Sequence, residues 1–334
     1  MLKRLSGLIP LALFFSLVTG ALIYAEYQKF LETPLKIEQP LVFTVDAGMT
    51  FTDLNKKLKS NQIIVNTRYL EFFARYSGLA NKIKSGEYRL TSGIRPDELI
   101  NIFVSGKAVQ YSMTLLEGWN IDELFQAIHS NEILAKTIIN YEADTLMREL
   151  GYPELIPEGL FFPDTYYFPR GTTDTVFLQR AYQRLKAVLD EEWQQRDANL
   201  PYKNAYEALI TASIIEKETG LASERATIAG VFVRRLKKNM KLQTDPTVIY
   251  AMGKQFNGNI RKKDLNIDSP YNTYRYKGLP PSPIALVGRE SIYAALHPED
   301  GKSYYFVAKG DGSHYFSESL KEHNRAVAKY QLKK

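Results

Sequence analysis

Apolar and polar positions divide the chain into three stretches of different rhythm. The first is unbroken: Leu5 to Ala25 run 21 residues without a charge, directly after Lys3 and Arg4. At 1.5 Å per helical residue this covers roughly 31 Å, about the hydrocarbon thickness of a bilayer. Positive residues before the run and Glu26 after it predict residues 1–4 in the cytoplasm, a transmembrane helix at 5–25 and the rest outside. A cleaved signal peptide is the competing reading, with Thr19-Gly20-Ala21 as its small-residue site, although cleavable apolar cores usually run 7–15 residues. Pro10 is tolerated in a spanning helix. Nothing downstream reaches 18 consecutive apolar residues. The pattern describes a single-pass protein and not a channel.

In the second stretch short runs alternate between period two and helical spacing. Residues 26–39 mix charges with Pro34 and read as a spacer closed by Pro40. Residues 40–107 then form a compact unit. Leu41 to Val45 is strand-like, and Asp46-Ala47-Gly48 supplies a turn. Phe51, Leu54 and Leu58 repeat at helical spacing, with Thr50 or Thr52 placed to cap. Arg68 to Tyr76 is a second helix, Glu87 to Leu90 a return strand after Gly86, and Pro96 to Val104 a final short helix. This is a small α+β module.

The third stretch, residues 108–334, is dominated by helical periods. Val176 to Arg196 is amphipathic, with Leu178, Ala181, Leu185, Val188, Leu189 and Trp193 on one face. Ala208 to Ile215, inside a helix from Tyr206 to Thr219, is too apolar all round for a surface helix and belongs at the centre. Ser223 to Lys238 is another helix. Asp245-Pro246 reads as a cap followed by the first helical residue, with Gly253 as the stop. Tyr304 to Ala308 and Ser313 to Phe316 flank Gly310-Asp311-Gly312 as a hairpin. Ser319 and Glu322 have capping-box spacing for the last helix.

Composition removes several chemistries. The chain has no cysteine, so disulfides, thiolate catalysis and cysteine-ligated metals are excluded. Its four histidines (His129, His297, His314, His323) form no metal-binding spacing, and neither a GxSxG elbow nor a phosphate-binding glycine loop is present. No metal and no cofactor are expected. The +6 net charge comes from scattered basic residues, which suits anionic polymers or surfaces and does not single out nucleic acid.

The strongest chemical feature is Ser213-Ile214-Ile215-Glu216-Lys217-Glu218-Thr219, where an apolar helix emerges into two carboxylates. A carboxyl at such an edge loses hydration, its charged form is disfavoured and it becomes usable as a general acid near neutral pH. On a helix Glu216 and Glu218 lie about 200° apart, so they cannot pair with each other. Periodicity alone does not decide between them, and a solvated helix end stopped by Gly220 is the structural reading. Gln243-Thr244-Asp245-Pro246-Thr247 is a polar segment suited to a cleft. Pro163 to Pro169 and Tyr271-Asn272-Thr273-Tyr274 set rings beside short polar groups, a mixture that suits sugars and is also common in packed loops. Leu279-Pro280-Pro281-Ser282-Pro283 reads as a rigid connector. Arg234, Arg235, Lys237, Lys238 and Lys241 suit a helix C-terminus, or carboxylates on a binding partner.

Taken in order, these blocks resemble the YceG-like, endolytic murein transglycosylase family. The match rests on Ala212 to Thr219, Ser223-Glu224-Arg225, Leu242 to Thr247, Tyr271 to Tyr274, Gly278 to Ile284, Glu158-Gly159 through Tyr166, and Gly312 to Phe316. The resemblance implies an α+β protein with one transmembrane helix, a small LysM-like module at 40–107 and a larger mixed α/β catalytic domain at 108–334. It implies a lyase that cuts the β-1,4 bond between N-acetylmuramic acid and N-acetylglucosamine inside nascent peptidoglycan strands, leaving 1,6-anhydro ends and terminating elongation. It assigns the acid to Glu216, with Glu218, Gln243, Asp245, Tyr271 and Asn272 expected to bind or orient sugar. The implied partners are glycan strands, the cytoplasmic (inner) membrane and peptidoglycan synthases. A non-catalytic wall-binding scaffold is one alternative. A hydrolytic muramidase is another, and it needs a water-activating carboxylate such as Glu158 or Asp164.

Overall fold

The computed structural model describes residues 8–138 and 143–332. The expected cytoplasmic tail at 1–4 and the head of the apolar run at 5–7 lie outside the described residues. The chain divides into two units, one running to Tyr111 and including Tyr167–Gly171, the other holding Ser112–Tyr166 and everything from Thr172 onward.

The first unit opens with helix α1, Leu8–Glu32. Among the described residues α1 is the one helix long and apolar enough to cross a membrane. Its side chains Leu13, Phe14, Phe15 and Leu17 are 60–73% exposed. The helix continues past Ala25 into the segment expected to be spacer, because no breaker occurs before Pro34. Tyr27 in this extension packs edge-on to Tyr69 and Phe72, at 5.9 and 5.3 Å between ring centres.

Strand β1 (Leu41–Val45) pairs antiparallel with β2 (Gly86–Leu90), setting Phe43 opposite Tyr88. Helices α2 (Phe51–Ser60) and α3 (Thr67–Tyr76) lie between them in sequence, and α4 (Pro96–Ser105) follows. Alternation along β1 buries Phe43 and Val45 and leaves Val42 outside. Those two residues join Leu54, Leu58, Leu70, Tyr88, Leu99 and Phe103 in one core. Thr50 caps α2 by accepting from the Asp53 amide at 3.2 Å.

The second unit is mostly helical. Strands β3 (Tyr111–Thr114) and β4 (Thr165–Phe168) contribute residues 112–114 and 165–166 to it, and there the Thr114 and Thr165 hydroxyls meet at 2.9 Å. Helices α5 (Ile121–Ser130) and α6 (Ala143–Glu149) lie between these strands in sequence. Helix α7 (Asp174–Gln195) follows, then α8 (Ala205–Glu218), α9 (Ala222–Lys237), α10 (Asp245–Met252) and α11 (Arg289–Leu296). A hairpin of β5 (Tyr305–Ala308) and β6 (His314–Ser317) leads into α12 (Leu320–Tyr330). Ser319 caps α12 by accepting from the Glu322 amide at 3.3 Å.

Helix α8 is the axis of this unit. All eight residues Ala208–Ile215 are buried, none more than 3% exposed. It packs against α7, α9, α10 and α11. Asn204 starts it by accepting from the Glu207 amide at 3.0 Å, a cap typically worth about 1 kcal/mol.

Three local expectations are revised. Asp245 is the first helical residue of α10 and Thr244 its cap position, because the Asp245 carboxylate accepts instead from the Tyr274 hydroxyl at 2.6 Å. On α7 the buried face includes Glu192, which is paired with Arg289 at 2.7 Å, while Leu189 and Trp193 are only half-buried. Arg234 and Arg235 do not offer their guanidinium groups outward. Arg234 donates to the Ser303 and Glu299 carbonyls, and Arg235 to those of Tyr304, Lys241 and Leu242.

Gly159 holds a close approach in the second unit. It adopts φ +72°, and an added Cβ would lie 2.4 Å from Pro283 Cβ and 2.9 Å from the Ala285 carbonyl oxygen. Left-handed strain alone costs about 1–3 kcal/mol at a non-glycine residue. Gly159→Ala is therefore expected to lower the melting temperature by several degrees in a circular-dichroism melt. A melt unchanged to within about a degree would refute this packing.

Candidate active site

Helix α8 ends in two carboxylates with different surroundings. Glu216 leaves the helix on the side of the loop before α11. Its Oε2 accepts from the Gly288 amide at 3.1 Å, and its Oε1 lies 4.0 Å from Arg225 Nη2. Arg225 also pairs with Glu290. Glu117 presses on the same glycine: a Cβ at Gly288 would sit 2.0 Å from Glu117 Oε1. Burial raises the Glu117 pKa, and the nearby Glu216 charge adds to the effect, while Arg225 opposes it. Three glutamates thus gather around one arginine. No group of three or more His, Asp or Glu side chains suited to a metal ion occurs among the described residues.

Glu218 lines a cavity of about 400 Å³ together with Gln243, Asp245, Tyr274 and His314. Its Oε1 accepts from the Thr244 hydroxyl. Burial pushes its pKa up to about 7. The Thr244 bond and the Arg235 charge pull the other way, and the Asp245 carboxylate adds to the rise. This is the protonation balance of a general acid that works near neutral pH.

Thr244 is held by a small hydroxyl network. Its amide donates to Thr273 Oγ1 at 3.2 Å, and the Thr247 hydroxyl donates to the Thr244 carbonyl at 2.7 Å while meeting Thr273 Oγ1 at 2.8 Å. Gln243 sits at φ 49°, a strained position for a residue with a side chain. Its amide donates to the Thr273 carbonyl at 3.2 Å. The polar segment after α9 is thereby fixed against the aromatic loop.

The remaining expected site residues separate. Asp245 and Gln243 line the cavity beside Glu218. Asn272 is fully buried; its Nδ2 donates to the Leu265 and Ile267 carbonyls, and its Oδ1 accepts from the Tyr274 amide. It shapes the loop, and Tyr274 is the loop residue that faces the cavity. The Tyr271 hydroxyl meets Ser282 Oγ at 2.6 Å, and its ring lies 4.7 Å from that of Tyr250. Asp164 is exposed, whereas Glu158 is buried beneath Tyr250.

Residue patterns did not single out Glu117, Glu224 or His314. His314 Nδ1 lies 2.7 Å from Glu224 Oε2, and its amide donates to Glu224 Oε1 at 2.9 Å. The two residues are ninety positions apart, and only their presence in the recognised blocks marked them at all.

The YceG-like family model matches residues 43–329. The endolytic murein transglycosylase of Bacillus subtilis strain 168 is 32% identical over 332 residues, covering 94% of this chain and 91% of that protein. The endolytic murein transglycosylase of Streptococcus pneumoniae strain D39 is 26% identical over 347 residues, covering 92% of this chain. The chain spans 62% of that longer relative. A crystal structure of a yceG-like protein from Listeria monocytogenes superposes with a TM-score of 0.54 at 28% identity, covering 86% of this chain and 99% of the other. A family model that runs from β1 to the last helix, and a relative alike along nearly its whole length, agree that the chain belongs to the YceG-like family.

Proposed function

We propose that the protein is an endolytic murein transglycosylase, a lyase that cuts peptidoglycan strands internally and leaves 1,6-anhydro-muramic ends. The carrying observation is the Glu218 carboxyl, which accepts from the Thr244 hydroxyl beside a cavity of about 400 Å³, where burial pushes its pKa up to about 7. Neutral Glu218 donates its proton to the glycosidic oxygen as the bond from C1 of N-acetylmuramic acid breaks. The carboxylate left behind then takes the proton of the same sugar's C6 hydroxyl, whose oxygen closes onto C1. One carboxyl group serves both half-steps, because an internal hydroxyl replaces the water that an ordinary glycosidase must activate.

The resemblance of the sequence blocks assigns the acid to Glu216, and the surroundings favour Glu218. Glu216 accepts from the Gly288 amide and lies 4.0 Å from the Arg225 guanidinium, away from the cavity that Glu218 lines. In this reading Glu216 anchors the end of α8 against the α11 loop. Gln243, Asp245 and Tyr274 contact sugar, and Asn272 and Tyr271 support the loop that carries Tyr274.

The wider arrangement follows from the same reading. Helix α1 anchors the protein in the cytoplasmic membrane with the N-terminus inside, and both units work on the outer side, beside the synthases that extend glycan. Residues 40–107 serve as a LysM-like module ahead of a catalytic domain at 108–334.

Mass spectrometry of products from purified uncrosslinked strands tests the reaction. Products one water lighter than hydrolysis products support it; reducing-end products would make the protein a muramidase, and bound but uncut strands a scaffold. Glu218→Gln should reduce turnover by about 10³-fold or more without lowering the melting temperature, since the amide keeps an oxygen that accepts from the Thr244 hydroxyl. Glu216→Gln should retain more activity than Glu218→Gln, and the reverse order would return the acid to Glu216. In the wild type kcat should fall as pH rises through about 7, because the acid must start protonated. A rate that rises through the same range would exclude Glu218 as the donor.

A further inference from the structure

A second cavity, about 890 Å³, lies in the same unit and has no part in the chemistry above. Its volume is within the range of small-ligand sites. Its walls include Ile249, Tyr250, Phe256 and Ile284, with Lys217 and Lys254 among its charged groups. It adjoins the Glu218 cavity along the chain twice: Lys217 lines one and Glu218 the other, and likewise Pro246 and Asp245.

Glu158 is the unusual group in this cavity. Its side chain is only 2% exposed. Oε2 accepts from the Ile121 amide at 3.2 Å and from the Tyr250 hydroxyl at 3.0 Å, while Oε1 has no hydrogen-bond partner. A buried polar atom left without a partner is costly, so a native structure that keeps one usually supplies its partner from outside the chain. Burial pushes the Glu158 pKa up to about 7, against the opposing pull of those two donors and of the Gly159 amide. With both donors on Oε2, the proton of the neutral acid belongs on Oε1, which makes that atom a donor in need of an acceptor.

We propose that this cavity binds an N-acetylated hexosamine unit of the strand, with Glu158 Oε1 donating to the acetamido carbonyl and Tyr250 and Phe256 bounding the sugar. The charges fit an uncharged sugar: with Glu158 neutral, Asp122 and Glu123 are matched by Lys217 and Lys254. An anionic peptide-bearing sugar would find no net positive charge here. The side-chain carboxylate of Glu123 is in addition engaged by the Asn120 amide in the α5 cap, at 2.8 Å. The assignment deepens the transglycosylase reading and takes from it only the identity of the polymer.

The test is calorimetric binding of the N-acetylglucosamine trimer to the full-length protein in detergent, with the deacetylated trimer as control. The acetylated trimer should bind at least about tenfold tighter than the control, the scale of one hydrogen bond to a buried group. Glu158→Gln keeps a donor at the Oε1 position and should stay within about threefold of wild type, whereas Glu158→Met should weaken binding about tenfold or more. If Glu158→Met fails to fold by circular dichroism, Phe256→Ala at the cavity wall decides, with the same loss expected. Absence of trimer binding, equal affinity for the deacetylated sugar, or unchanged affinity in the deciding variant would overturn the site. The strand-cleavage assay on the same preparations separates the two proposals. Missing anhydro products would sink the lyase reading, while altered trimer affinity in these variants would still establish the cavity as a sugar site.

Discussion

The burial of one helix on every side is the constraint on which the second unit depends. Ala208–Ile215 cannot face water anywhere, so α7, α9, α10 and α11 must surround α8. Helix α8 nevertheless ends in Glu-Lys-Glu, and the packing that hides the apolar residues brings two carboxyl groups into poorly hydrated ground. Such groups must be paired or neutral. Glu216 accepts from the Gly288 amide near Arg225, whereas burial pushes the Glu218 pKa up to about 7 at the edge of a cavity. Side chains two residues apart thus have opposite chemistry available to them.

The surrounding polar network makes that difference permanent. Three threonines, Thr244, Thr247 and Thr273, bond to one another and so join the segment before α10 to the aromatic loop. Gln243 is held in a left-handed conformation at this junction, a strain the network must offset. Asn272 uses its whole amide to shape the loop from within. Arg235, with its three backbone carbonyl partners, binds the C-terminal end of α9 to the β5 side of the same cavity. A catalytic carboxyl gains from such support, because a supported group needs no reorganisation when the bond breaks.

Glu158 repeats the physics of Glu218 on the other side of α10's first turn. Both carboxyls are raised to about 7 by burial, and both line cavities. They differ in their partners: Glu218 accepts from the Thr244 hydroxyl, while Glu158 is held by two donors on Oε2 and its Oε1 has no hydrogen-bond partner.

The sequence by itself determined whatever depends on neighbours along the chain. The charge-free run marked α1, hydrophobic spacing marked α2, α3, α7, α8 and α9, and the caps Thr50 and Ser319 fall where the residue types placed them. The glycine-flanked hairpin near the end and the paired carboxylates closing an apolar helix were legible in the same way. The short helices α5 and α11 and the strands β3 and β4 were not, since runs of four to ten residues with mixed polarity are fixed by what they pack on. The different surroundings of the two carboxyls at the end of α8 come from the tertiary packing. Helical geometry sends Glu216 and Glu218 to opposite sides, but their environments come from Glu117, Arg225 and Gly288 in one case and Arg235 and Thr244 in the other. No local pattern encodes the desolvation those distant residues impose, and it is desolvation that sets where the proton resides.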